Sequence, residues 1–86
     1  MADWEIKAVS RDPTGSILAY CGDEPFGWTV WVHDLIDDIE GGRHTYYVSG
    51  PSGARVDVVA SLTDEGKIVR THPDAGPDLV SQLPRC

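Results

Sequence analysis

The chain has little cysteine and little positive charge. Cys21 and Cys86 are the only two cysteines in 86 residues. That is too few for a disulfide framework, and neither falls in a C-x-x-C spacing. Reduced thiols are therefore the default expectation, with a Cys21–Cys86 bridge the less favoured alternative. Seven Lys and Arg stand against fourteen Asp and Glu, a net charge of −7. Nucleic-acid binding depends on cationic groups that displace counterions from phosphates, so a chain this acidic is a poor general binder. The same charge disfavours anionic membrane surfaces and favours solubility. No window approaches the 18 or so apolar residues that span a bilayer. The opening stretch, Met1 to Lys7, lacks the basic-then-apolar pattern of a signal peptide. A cytoplasmic protein is expected, with no nucleic acid or membrane among its partners.

What is present suffices for one domain, residues 1–86. A chain of this length buries about 60 to 65% of its unfolded surface, a thin core with little room for an enclosed cavity. Trp4 to Arg11 alternates as a half-buried strand, Asp12-Pro13-Thr14-Gly15 is a turn, and Ser16 to Cys21 a second strand. One helix is expected over Val30–Glu40. Thr29 is its N-cap, and Gly41-Gly42 is its stop. Val32, Leu35, Ile36 and Ile39 fall on its apolar side with Trp28 and Trp31, while Asp34, Asp37, Asp38 and Glu40 form an acidic outer arc. Acid at a helix C-terminus opposes the macrodipole, so that arc reads either as a solvated face or as a surface for a basic partner. Strands follow over His44–Ser49, Arg55–Ser61 and Lys67–Thr71, separated by turns at Ser49–Gly53 and Thr63–Gly66. The fold class is α+β: a mainly antiparallel sheet of about five strands in the order β-β-α-β-β-β, with one helix on one face. The C-terminal segment still carries Leu79, Val80 and Leu83. It reads as an irregular strap packed onto the domain, with Leu79 and Leu83 buried, because disorder goes with low hydrophobicity.

Five elements also carry a resemblance: Ile36-Asp37-Asp38-Ile39-Glu40-Gly41, Tyr46-Tyr47-Val48, Val56-Asp57-Val58, Arg70-Thr71-His72-Pro73-Asp74 with Asp78-Leu79, and Leu83-Pro84-Arg85-Cys86. In order and spacing they resemble a small bacterial family catalogued as domain of unknown function 3892. The departures are Ile68-Val69, where Tyr-Leu is usual, and Asp78, where Asn is common. An Asn amide that donated to the strap backbone would have no equivalent in Asp78, because a carboxylate only accepts. The resemblance implies a fold and a soluble bacterial protein, and no reaction.

Two groups of residues are candidate binding sites. Arg70, Thr71, His72 and Asp74 form a polar cluster. It reads either as a structural turn, with Asp74 serving backbone N–H groups and Arg70 a nearby carboxylate, or as a clamp for an anion or a peptide carboxylate. Tyr47, Asp57 and Val59 fall on the sheet face that a single helix leaves open, a half-apolar surface that is either covered by the strap or first hairpin or suited to a partner. His33, His44, His72, Cys21 and Cys86 match no zinc-ligand spacing, so no metal is expected. Neither a G-x-S-x-G elbow nor a phosphate loop is present, so no catalytic residue and no cofactor are assigned. The expectation is a small binding or protein-interaction module. The alternative is a ligand-binding or minor enzymatic domain that uses Arg70 with His72.

Overall fold

Alternation runs unbroken from Trp4 to Arg11, but the backbone turns a corner at Ile6 and Lys7. In the computed structural model, which describes residues 2–24, 26–50, 52–64, 66–72, 76 and 78–86, this stretch is two strands, β1 (Ala2–Glu5) and β2 (Ala8–Arg11). The Ile6 N–H donates to the Tyr47 carbonyl at 2.8 Å and the Lys7 N–H to the Cys21 carbonyl at 2.9 Å. Adjacent amides thus serve different sheets, and Ile6 is buried at the corner. A period of two cannot separate one long strand from two short ones that share it.

The expected single sheet is therefore two. The larger has the order β1-β5-β6-β7 and the smaller β2-β3-β4. Here β3 is Ile17–Gly22, β4 Trp28–Trp31, β5 His44–Ser49, β6 Arg55–Thr63 and β7 Gly66–Thr71. β1 runs parallel to β5, with Trp4 opposite Tyr46. The other pairings are antiparallel. The class remains α+β, with one α-helix among the described residues.

That helix, α1, spans Val32–Glu40, two residues shorter at its start than its spacing predicts. Thr29 and Val30 belong to β4, opposite Cys21 and Tyr20. Trp-Thr-Val-Trp is a β-branched and aromatic run, and pairing with β3 satisfies it better than a first helical turn would. Trp31 caps the helix with extended backbone and no side-chain hydrogen bond, so Thr29 is not the cap. The C-terminal stop is where it was expected. Arg43 N–H reaches the Asp38 carbonyl and Gly42 N–H the Ile39 carbonyl, a Schellman closure that needs the left-handed φ of +69° at Gly42.

The core lies between the two sheets and α1. Leu35 and Ile36 of α1 meet Tyr46, Val48, Val58 and Val69 of the larger sheet, and Val9 and Tyr20 of the smaller. The strap closes it. Val80 is completely buried at the start of a short 3-10 turn (Val80–Gln82), whereas Leu79 and Leu83, the residues expected inside, are only half-buried. Beyond that turn the chain lies along β2. Val9 N–H donates to the Pro84 carbonyl at 2.9 Å, and Cys86 N–H donates back to the Val9 carbonyl at 3.0 Å. These bonds cover backbone groups that an edge strand would leave open.

The strap also brings Cys86 to Cys21, and the two form a disulfide with Cα atoms 6.2 Å apart. This overturns the expectation of reduced thiols. The partners are 65 residues apart in sequence, and only the pairing of the strap with β2, beside Cys21 on β3, makes them neighbours. Disulfides persist in oxidising surroundings, so the cysteines no longer favour a reducing compartment. Among the described residues, no helix is long and apolar enough to cross a membrane.

Candidate functional site

Strand alternation sends Tyr46, Val48, Val58 and Thr71 into the core, and their neighbours therefore face outward. Tyr47 stands opposite Asp57, and Val59 opposite Arg70. The His72 N–H donates to the Asp57 carbonyl at 2.8 Å, which extends β7 alongside the same residues. Arg70 and His72 of the polar cluster thus share one surface with Tyr47, Asp57 and Val59, the outer face of the larger sheet. Arg70 is half-buried there, with Nε donating to the Thr71 carbonyl at 3.1 Å. Thr71 is a structural member. Its side chain is fully buried, its N–H donates to Asp78, and its hydroxyl accepts from Leu79 N–H. Asp74 lies outside the described residues.

The face is less apolar than the sequence suggests. The Arg55 guanidinium lies 4.5 Å above the centre of the Tyr47 ring. Its Nε donates to Asp57 at 2.8 Å, and its terminal nitrogens donate to Asp3 across the sheet. Asp3 also accepts the Thr45 hydroxyl at 2.7 Å. The Arg55 hydrogen bond holds the Asp3 carboxyl below its ordinary range, and the two carboxylates hold Arg55 above its own. All three side chains are substantially exposed, so each ion pair adds little stability. Their effect is to fix geometry: Tyr47 is roofed by a cation, and the apolar part of the face shifts to Val59 and the exposed Ile68. At the β1 end the same face dips into a concavity of about 410 Å³ lined by Asp3, Glu5, Lys7, Glu24 and Tyr47.

The expected acidic arc of α1 is divided. Asp38 turns inward and accepts the Tyr46 hydroxyl at 2.9 Å, with Arg43 Nε at 3.3 Å on its other oxygen. Glu40 pairs with Lys67 at 2.7 Å. Asp38 and Glu40 thus each have a cation, which offsets their unfavourable placement in the dipole. Asp34 and Asp37 are left exposed. Among the described residues, no group of three or more His, Cys, Asp or Glu is placed to hold a metal, and the disulfide occupies both sulfurs.

One cluster has no counterpart in the sequence reading. Trp4 lies 5.5 Å from Trp28 and 6.1 Å from His44, centre to centre, and Trp28 lies 6.0 Å from Tyr46. The indole of Trp28 crosses Gly22 so closely that a Cβ there would fall 2.4 Å from the ring. Its Nε1 donates to the Glu24 carbonyl at 3.1 Å. Residues 4, 28, 38, 44 and 46 come from four different elements, so no spacing announces them. The only signal is that the chain's three tryptophans are many for its size.

No family model matches the chain. No curated protein matches it, and no solved structure does.

Proposed function

We propose that the chain is a small binding module that docks a protein partner on the outer face of its larger sheet. The observation that carries this reading is the β5-β6-β7 register, which gathers Tyr47, Asp57, Val59 and Arg70 on the face opposite α1. Arg and Tyr are enriched where proteins bind each other, and an apolar patch rimmed by charge is the usual anatomy. Here Val59 and Ile68 supply the patch, and Arg70, Arg55 and Asp57 the rim. Arg55 is already saturated by Asp3 and Asp57, which leaves Arg70 as the cation to meet a partner's carboxylate.

The test is affinity capture from a lysate of the source organism with two variants, Val59→Arg and Arg70→Glu, each first shown to melt like the native protein. Loss of the same partner from both supports the reading. Unchanged capture by both overturns it. A second reading, a small-anion site, is favoured by the positions of Arg70 and His72 on either side of the buried Thr71. Titration with phosphate and acetate, followed by NMR at the Arg70 and His72 amides, tests it; shifts that saturate support it, and their absence rejects it.

A further inference from the structure

Trp4, Trp28, His44 and Tyr46 line a concavity of about 130 Å³, and the Asp38 carboxylate completes its wall. It opens on the core side of β1 and β5, where Trp4 pairs with Tyr46, and so lies across the sheet from the docking face. The rings meet at steep angles: 68° between Trp4 and Trp28, 55° between Trp28 and Tyr46, and 79° between Trp4 and His44. At these separations the rings touch one another edge to face, and the concavity opens where they meet. Tyr46 is buried, but both tryptophans are only half-buried. The Trp28 N–H is committed to the Glu24 carbonyl, which leaves its ring as the contact surface.

We propose that this concavity binds a methylated ammonium group. Aromatic faces carry negative quadrupoles that attract cations, tryptophan most strongly, and the attraction grows as the site is desolvated. Asp38 adds a formal charge at the wall, and the Tyr46 hydroxyl fixes its orientation. Burial first, then the Asp38 hydrogen bond and charge, and last the Asp34 charge, hold the Tyr46 hydroxyl above its ordinary range. Arg43 reaches only the other Asp38 oxygen, at 3.3 Å, from an exposed position. The preference for a methylated cation follows from the donor count. A primary ammonium is strongly hydrated and brings three N–H donors. The one carboxylate here already accepts from Tyr46 and Arg43. A methylated ammonium sheds its hydration easily and requires few acceptors or none. Drug-sized pockets measure about 300 to 1,000 Å³, so this one suits a head group, carried either by a choline-like solute or by a methylated lysine of a protein.

The test is titration with tetramethylammonium chloride at constant ionic strength, following the indole N–H signals of Trp4 and Trp28 by NMR. A neutral isostere, 2,2-dimethylpropan-1-ol, is the control. Saturable shifts at both indoles are expected, with the isostere at least about tenfold weaker, equivalent to 1.4 kcal/mol. Asp38→Asn keeps an oxygen for the Tyr46 hydroxyl and removes the charge; it should weaken binding several-fold with an unchanged melting temperature. Choline and a trimethyllysine peptide then distinguish the two sources by which binds more tightly. No saturable shift up to about a hundred millimolar, or equal binding of the neutral isostere, overturns the proposal.

Discussion

Asp78 and Thr71 tie the strap to the sheet. Asp78 Oδ1 accepts the Thr71 N–H at 3.1 Å and the Val80 N–H at 3.0 Å, while the Thr71 hydroxyl accepts the Leu79 N–H at 3.1 Å. An oxygen, and not an amide N–H, is what the backbone draws from position 78. Asp78→Asn should therefore be nearly neutral, because the Asn carbonyl can accept the same bonds. Asp78→Ala should lose about 1 to 3 kcal/mol, the cost of unpaired buried donors. Urea denaturation of both variants checks this; equal losses would mean that the charge, and not the acceptor, is what matters.

The disulfide should dominate the stability of the strap. For partners 65 residues apart, the chain-entropy model gives about 4 kcal/mol. In a domain of this size that corresponds to a melting-point drop of roughly 15 °C or more. Cys21→Ala with Cys86→Ala, or native protein in reductant, should both show it by calorimetry. A drop of only a degree or two would show that Val80 and the Val9 hydrogen bonds hold the strap unaided.

What could be read from the sequence were the features that depend on near neighbours. Asp12 with Gly15 makes the expected turn: Asp12 Oδ1 accepts from Thr14 and Ser16 N–H, and Gly15 takes a φ of +92°. Gly42 ends the helix for the same local reason. What escaped depends on pairing at a distance. The corner at Ile6 exists because Tyr47 and Cys21 accept from adjacent amides, and β4 exists because β3 offers an edge to Trp28–Trp31. The candidate site divides in the same way. The sequence places Arg70 in a polar cluster and Val59 on a sheet face, but only the register makes them neighbours. Thr71, read as part of the polar cluster, is drawn inward by Asp78 and Leu79.

Tyr20 supplies an alkaline signature. It is buried, and burial first, with the Asp78 charge second, pushes its hydroxyl up to about 12. Its folded value lies above the unfolded one of about 10. The folded state therefore favours the neutral phenol, and the stability this contributes is complete below pH 10 and lost as pH rises toward 12. The loss by pH 11.5 should be at most about 2 kcal/mol and should vanish in Tyr20→Phe. Denaturation at pH 9 and pH 11.5 checks it; an identical alkaline loss in the Phe variant would assign the effect elsewhere.

Two adjacent acids that the sequence presents as a pair, Asp37 and Asp38, differ in what they hold. Asp37 is exposed on α1, whereas Asp38 accepts the part-buried Tyr46 hydroxyl and also pairs with Arg43. Asp37→Ala should change stability by less than about 0.5 kcal/mol, as surface substitutions usually do. Asp38→Ala strands the Tyr46 hydroxyl and should cost about 1 to 3 kcal/mol. It should also lower the Tyr46 titration, because burial first, and then the Asp38 hydrogen bond and charge, hold that hydroxyl above its ordinary range. Stability and the absorbance of tyrosinate at alkaline pH report the two effects independently. If both variants behave like Asp37→Ala, Asp38 is a surface carboxylate, and the inward wall formed by Asp38 and Tyr46 does not exist in solution.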